Sequence, residues 1–185
     1  MSIINIGLHG ASGRMGTAVA EAIAKQSDKF VLVTKFSKQH NQDKLFNFCF
    51  PADIIIDFST PDALENLLKI STEVGKKLVI GTTGLSSAHI KEIEKASKSI
   101  AILYSPNMSI GANLIIEMAG RISRILEDYD VEIIDIHHRY KKDSPSGTAL
   151  AIGQNIAKHR EQKFEEVAVF DRVNQGIRKD GDIGF

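Results

Sequence analysis

The sequence predicts a doubly wound, parallel α/β sheet followed by a smaller α+β region. Between residues 3 and 104, five short runs rich in β-branched residues alternate with helical patterns. Such alternation is typical of parallel sheets that carry helices on both faces. A glycine-rich turn joins the first strand to the first helix, and polar or glycine-rich pieces follow the other strands. The predicted strands are Ile3–Leu8, Phe30–Phe36, Asp53–Phe58, Lys77–Ile80 and Ile100–Tyr104.

The composition excludes several classes of partner and location. Lys and Arg number 23, as do Asp and Glu, so there is no basic excess to favour nucleic acid or an anionic membrane. Cys49 is the one cysteine, which excludes an internal disulfide and favours a reducing compartment. The N-terminus lacks signal-peptide features, and no apolar run is long enough to span a bilayer. We expect a cytoplasmic protein.

The glycine-rich turn predicts a dinucleotide site of the Rossmann type. It has the spacing G-x-x-G-x-x-G, and the helix Thr17–Ala24 follows it. Glycines at such a turn let backbone N–H groups approach a pyrophosphate at the helix N-terminus. A plain strand-to-helix turn remains the alternative. The turn consists of Gly10, Ala11, Ser12, Gly13, Arg14, Met15 and Gly16.

The end of the second strand bears on the choice of cofactor. An acidic residue often binds the ribose 2′-hydroxyl of NAD at this position, but here the chain has Lys35 and Lys38. With Arg14 in the nearby loop, these cations favour a 2′-phosphate and therefore NADP. They are equally compatible with solvated surface charges.

Other polar pieces follow the strands at residues 58–61, 81–84 and 105–108. The carboxyl ends of parallel strands meet at one edge of the sheet, where ligands bind in open α/β folds. Each piece alone is more often a turn or a helix cap, but together they predict one ligand site.

We place a domain change near residue 108. Residues 1–108 are predicted to form a dinucleotide-binding domain, and 109–185 a substrate-binding domain. In the second, Leu114, Met118 and Ile122 lie at helical spacing and are expected in a core. The predicted elements are helix Ile110–Asp128, strand Val131–Ile136, helix Thr148–His159 and strand Val167–Phe170.

The strand from Val131 leads into a cationic segment that predicts an anion site with a proton donor. His137, His138, Arg139 and Lys141 gather at its end, and neighbouring positive charges repel unless an anion offsets them. A histidine titrates near neutrality and suits acid–base work. The turn before Thr148 supplies further N–H donors at a helix N-terminus.

Two alternatives to this interpretation concern metal binding and ordinary surface charge. On a strand, His137 and His138 would point to opposite faces, and no cysteine is near, so no metal site is predicted. Surface histidines and scattered cations would also account for the segment.

Taken together, these motifs resemble the 4-hydroxy-tetrahydrodipicolinate reductase (dihydrodipicolinate reductase) family of bacterial and plant lysine and diaminopimelate synthesis. The resemblance follows the order of the motifs along essentially the whole chain. It is most specific from His137 to Thr148. The matching stretches are 10–16, Asp57-Phe58-Ser59-Thr60-Pro61, Gly81-Thr82-Thr83-Gly84, 107–111, 137–141 and Pro145-Ser146-Gly147-Thr148.

The resemblance implies reduction of a cyclic, doubly carboxylated imine by NADPH or NADH. It implies that His137 is the proton donor, that Lys141 is its partner, and that His138, Gly147 and Thr148 contact the substrate carboxylates. Arg14 matches a residue near the 2′-phosphate. The implied cofactor contacts further along the chain are Phe58, Gly81, Thr82, Thr83, Ser105, Pro106, Asn107 and Met108.

The sequence departs from the family at several points. Tyr140 stands where the family commonly has histidine, and Lys35 stands where an acidic ribose contact is often seen. Family members also continue past the match to 181–185, through strands that build their homotetramer. We therefore expect the second domain to be incomplete and the tetramer to be doubtful. The alternative function is a truncated, catalytically inactive nucleotide-binding remnant.

Overall fold

A computed structural model describes residues 2–37, 44–141, 144–174 and 176–185. The chain divides into two compact units, Met1–Pro106 and Asn107–Phe185. The first contains a parallel five-stranded sheet of order β2-β1-β3-β4-β5. This confirms the predicted Rossmann-type α/β class. Its strands are β1 (Ile4–His9), β2 (Phe30–Phe36), β3 (Ile54–Asp57), β4 (Lys77–Ile80) and β5 (Ile102–Tyr104).

The helices of the first unit enclose an apolar core on the sheet. Ile55, Leu67 and Leu78 are fully or almost fully buried there. The longest helix of this unit begins at Pro61, whose missing N–H costs nothing at a first helical position. The helices are α1 (Arg14–Ala24), α2 (Leu45–Cys49), α3 (Pro61–Glu73) and α4 (Ser87–Ala96).

The strand order positions a ligand site. β1 lies between β2 and β3. The chain therefore adds β2 on one side of β1 and then adds β3, β4 and β5 on the other side, so the order of strand addition reverses at β1. In sheets of this order, ligands bind at the carboxyl ends of the strands at that switch point. The residues that close β1 and β3 are His9 and Asp57, and they are register partners.

The second unit packs helices on a small parallel sheet of order β6-β8-β7. Ile156, Ala157 and Ile183 form its buried centre. Its elements are α5 (Ile110–Ile125), β6 (Val131–Glu132), α6 (Gly147–His159), α7 (Phe164–Val167), β7 (Ala168–Val169) and β8 (Ile183–Gly184).

Two expectations for this unit were wrong. The predicted strand Val131–Ile136 ends at Glu132, because its partner β8 offers register positions only to Val131 and Glu132. The apolar side of α5 is exposed rather than core, with Leu114 60% and Met118 46% accessible. The α5 residues that are buried are the small Gly120 and Ser123.

Within the described residues, none of the helices has the length and apolar character that crossing a membrane requires.

Candidate active site

A cavity of about 270 Å³ opens at the switch point of the first sheet. Its walls come from the end of β1, the glycine loop, the end of β2 and the start of α3. The sequence predicted a site at this edge, and the structure brings parts of the pieces 10–16 and 58–61 to the cavity. Among the described lining residues, none comes from 81–84 or 105–108. The lining residues are His9, Gly10, Ser12, Gly13, Phe36, Ser37, Phe58, Ser59, Thr60 and Ala63.

The glycine loop is held against the end of β2 by backbone bonds. The N–H groups of Gly10 and Ala11 both donate to the Phe36 carbonyl, at 2.9 and 3.0 Å. Gly10 has φ +78°, and a Cβ at this position would overlap the Phe58 backbone. Only glycine combines that backbone angle with so close an approach. The loop therefore leaves the kind of cradle that a pyrophosphate occupies.

A second close approach fixes the loop after β4. A Cβ on Gly81 would enter the ring of Phe58, and the Gly81 N–H donates to the Asp57 carbonyl at 2.8 Å. Thr83, two residues further, is exposed. The pieces 58–61 and 81–84, predicted separately, are thus in contact.

A buried network beneath these loops was not predicted. His9 Nδ1 lies 2.7 Å from Asp57 Oδ1, and the Thr82 hydroxyl donates to Asp57 Oδ2 at 2.7 Å. The Ser59 N–H donates to the Thr82 oxygen at 3.0 Å. His9 and Asp57 are 3% and 0% exposed. The sequence does show that a polar residue, His9 or Asp57, stands at the end of each of two apolar strands. Only the register of β1 on β3 shows that these two residues lie together.

One atom in the cavity wall favours a polar ligand. The hydroxyl oxygen of Ser59 is buried and has no hydrogen-bond partner within the described residues. A buried hydroxyl without a partner is costly, and a bound ribose or phosphate would satisfy it. Together with the glycine cradle, this atom shows that the residues present fit a dinucleotide.

The predicted cations stand outside this cavity. Arg14 and Met15 are exposed on the first turn of α1. Lys35 is exposed on β2 and lies with α1 residues such as Ala20 and Ile23 around a separate shallow depression. Lys38, predicted above as a second cation at this strand end, lies outside the described residues.

The remaining pieces of the predicted cofactor site fall on both sides of the boundary between the two units along the chain. The Ser105 N–H donates to the Ile80 carbonyl at 3.1 Å, which ties the end of β5 to β4. In the second unit, Asn107 Oδ1 accepts the Ser109 N–H at 2.9 Å at the start of α5. Pro106 and Met108 flank this point, and Met108 is partly exposed.

The second unit holds a histidine–carboxylate pair at the N-terminus of α6. His137 Nε2 lies 2.5 Å from Asp135 Oδ1. Asp135 also accepts the Ser146 N–H at 2.6 Å and its hydroxyl at 3.0 Å. Ser146 in turn caps α6, since its oxygen accepts the Ala149 N–H at 3.1 Å. Asp135 therefore ties the predicted proton donor to the helix end.

These bonds set the charge of Asp135. The hydrogen bond from the Ser146 N–H is the main reason why the pKa of the Asp135 carboxyl lies below its usual range. The His137 ring and the Ser146 hydroxyl lower this pKa further. The carboxylate is thus ionised at neutral pH and accepts a hydrogen bond from the His137 ring. The sequence did not predict this role of Asp135, because 131–136 was predicted to be a strand and a strand gives no reason for Asp135 to contact Ser146.

The residues after His137 form a turn instead of continuing a strand. The Lys141 N–H donates to the His138 carbonyl at 3.1 Å, and His138 Nδ1 accepts the Tyr140 N–H at the same distance. Because 137 and 138 are not in a strand, the opposite-face argument against shared chelation does not apply. In the described parts of the chain, no three His, Cys, Asp or Glu side chains gather as metal ligands.

Gly147 and Thr148 are exposed at the first turn of α6. Backbone N–H groups in a first helical turn lack intrahelical acceptors and favour anions. In the second unit, the structure thus joins His137 to the N-terminus of α6 through Asp135 and Ser146, and the 138–141 turn follows His137 directly.

The fold and these sites define a Rossmann-type α/β protein whose second unit carries a histidine–carboxylate pair. A family model described as dihydrodipicolinate reductase, N-terminus, matches residues 4–108, and the corresponding C-terminus model matches 111–185. The chain belongs to the dihydrodipicolinate reductase family.

Relatives support this assignment at the level of sequence and fold. The 4-hydroxy-tetrahydrodipicolinate reductase of Rickettsia rickettsii (strain Sheila Smith) is 47% identical over 183 residues, covering 99% of this chain and 74% of that protein. That of Campylobacter lari is 42% identical over 171 residues, covering 92% and 69%. A dipicolinate-bound dihydrodipicolinate reductase from Paenisporosarcina sp. TG-14 superposes with a TM-score of 0.73 at 22% identity, covering 99% of this chain and 77% of that chain.

Proposed function

We propose that this chain reduces 4-hydroxy-tetrahydrodipicolinate to tetrahydrodipicolinate in lysine and diaminopimelate biosynthesis, with NADPH or NADH as reductant. The observation that carries this conclusion is the 47% identity to 4-hydroxy-tetrahydrodipicolinate reductase across 99% of the chain. The chain is an NAD(P)H-dependent oxidoreductase of this family. Bound NAD(P)H supplies the hydride, which is chemistry that the side chains themselves lack.

We assign cofactor binding to residues 1–108 and substrate binding to residues 109–185. The cradle 10–16 would hold the pyrophosphate, with Arg14 and Lys35 toward a 2′-phosphate. Phe58, Gly81, Thr82 and Thr83, with the turn Ser105–Met108, would hold the nicotinamide. The contact of Gly81 with Phe58 and the unpartnered Ser59 hydroxyl support this assignment.

We assign proton donation to His137 and substrate binding to its neighbours. The ionised Asp135 accepts a hydrogen bond from Nε2 and so fixes the orientation of the ring. Lys141 and His138 would offer positive charge or N–H donors to one substrate carboxylate. The N-terminal amides at Gly147 and Thr148 would receive the other. A dicarboxylate accounts for the gathering of cations and N–H donors in 137–148.

Although the sequence alone made the tetramer doubtful, we further propose a homotetramer, as the family resemblance implies, in the cytoplasm. Exposed apolar side chains in the second unit, including Ile110, Ile134 and Ile136, support a surface that another chain covers. The single cysteine is in keeping with a reducing compartment. Sedimentation velocity would test the assembly, and a monomer at all concentrations would contradict it.

The activity is tested with purified protein, freshly generated 4-hydroxy-tetrahydrodipicolinate and NADPH or NADH. We expect substrate-dependent oxidation of the nucleotide and formation of tetrahydrodipicolinate. Binding of NADPH without any turnover would contradict the function and support the inactive nucleotide-binding alternative.

The substrate contact is tested with Lys141→Ala. A charge-assisted bond lost from the substrate raises KM by about 10- to 100-fold. Arg139→Ala removes an exposed cation two residues away and is the matched control. Equal KM values for the two variants would contradict the role of Lys141.

A further inference from the structure

The network beneath the cofactor cavity links the ends of three neighbouring strands. His9 ends β1, Asp57 ends β3, and Thr82 lies two residues after β4. The Asp57 carboxylate is their common partner, with His9 on one oxygen and the Thr82 hydroxyl on the other, both at 2.7 Å. All three side chains are almost completely buried.

The two ends of this network reach different parts of the proposed cofactor site. His9 lines the cavity, where its ring packs at 5.4 Å from Phe36 and 6.0 Å from Phe48, measured between centroids. Thr82 belongs to the loop 81–84. The Ser59 N–H links Thr82 and Asp57 a second time, because it donates to the Thr82 oxygen at 3.0 Å and to Asp57 Oδ1 at 3.3 Å.

The bonding pattern makes His9 the group that fixes Asp57. A buried carboxylate is tolerated only when donors surround it, and among the described residues the ring N–H of His9 is one of its two side-chain donors. With His9 in place, Oδ1 is occupied, and Oδ2 faces the Thr82 hydroxyl. Without it, Oδ1 keeps only the longer bond from the Ser59 N–H, at 3.3 Å, so the carboxylate is held less firmly and the loop that it anchors has a less fixed acceptor.

We propose that His9 is a positioning residue for the loop 81–84, acting through Asp57 and Thr82 on the binding of the nicotinamide end of NAD(P)H. This inference rests on the proposed function. His9 orders the loop before the cofactor arrives, so that less ordering remains to be done on binding.

A double-mutant cycle separates this role from a direct contact in the cavity. Affinities for NADPH and for ADP-ribose, which lacks nicotinamide, are measured by calorimetry for wild type, His9→Ala, Thr82→Val and the double variant. We expect each single change to weaken NADPH binding, and their effects to be coupled by about 5- to 30-fold. For ADP-ribose the two changes are expected to be independent. Additive effects on NADPH would overturn the proposal.

Two further variants distinguish positioning from general destabilisation. His9→Asn retains an N–H donor for Asp57 and is expected to restore most of the NADPH affinity. Thr34→Val removes a hydroxyl that donates to the Phe48 carbonyl at 3.0 Å in the same sheet, without touching Asp57. It is expected to leave NADPH affinity unchanged; a loss equal to that of His9→Ala would overturn the proposal.

Amide hydrogen exchange provides a readout without ligand. In His9→Ala, exchange at residues 82–84 is expected to become several-fold faster than in wild type, whereas Thr34→Val leaves it unchanged. Unchanged exchange in His9→Ala would overturn the inference. A wild-type protein that binds no NADPH would instead contradict the proposed function, and the exchange measurement would still decide the role of His9.

Discussion

Replacing Gly10 by alanine should damage the glycine loop in a way that can be separated into two terms. Gly10 has φ +78°, and an added Cβ would overlap the carbonyl carbon and oxygen of Phe58 and the amide nitrogen of Ser59. All three are backbone atoms, so no side-chain rotation relieves the contact. The loop or the 58–59 backbone must move.

The magnitude follows from these two terms. A left-handed backbone costs an alanine about 1–2 kcal/mol, and forced overpacking costs about 1–3 kcal/mol more. The sum, about 2–5 kcal/mol, corresponds to a Tm lower by roughly 4–20 °C for a chain of this size. Because the loop lines the cavity, NADPH affinity should fall as well.

Gly75→Ala is the matched control. Gly75 has φ +68°, but an added Cβ there meets nothing within 4 Å. It carries the backbone cost without the overlap, and it lies beyond the end of α3, away from the cavity. Thermal unfolding by circular dichroism and NADPH calorimetry on both variants isolate the overlap. If Gly10→Ala lost no more stability and no more affinity than Gly75→Ala, the reasoning would be refuted.

Three other expectations concern single groups. Ser146→Ala should lower the free energy of unfolding by about 1 kcal/mol. It should also lower kcat, because Asp135 loses the Ser146 hydroxyl as a donor. Ser86 caps α4 and does not contact Asp135, so the control Ser86→Ala should lower stability alone. The lowered pKa of Asp135 means that its contribution to stability is complete above the ordinary carboxyl pKa of about 4 and is lost as pH falls through the lowered value; acid unfolding of Asp135→Asn should lack this component. Burial raises the pKa of the Cys49 thiol to about 11, so a thiol reagent at neutral pH should label it only after unfolding.

Local sequence patterns predicted most of the first unit. The bounds of β2 and β4 coincide with the predicted runs, because both runs are rich in β-branched and other apolar residues, which favour strands. Pro61 predicted the start of α3, because proline has no N–H to bond and its fixed φ suits the first position of a helix. The convergence of 58–61 and 81–84 also followed from topology, because every parallel strand delivers its carboxyl end to the same edge.

The features that were missed depend on partners distant in sequence. β6 is short because β8, about fifty residues later, pairs with only two of its residues. The His9–Asp57 bond depends on the register of two strands 48 residues apart. Asp135 is similar, since its main partner Ser146 belongs to the next helix. The apolar side of α5 has helical periodicity, but periodicity does not specify which surface covers it.

The most direct test of the central claim compares kcat for wild type and His137→Ala under saturating NADPH and substrate. A residue that donates a proton in the reaction should, when removed, lower kcat by about 100- to 10,000-fold while the Kd for NADPH stays unchanged. A variant with wild-type kcat would contradict His137 as the acid.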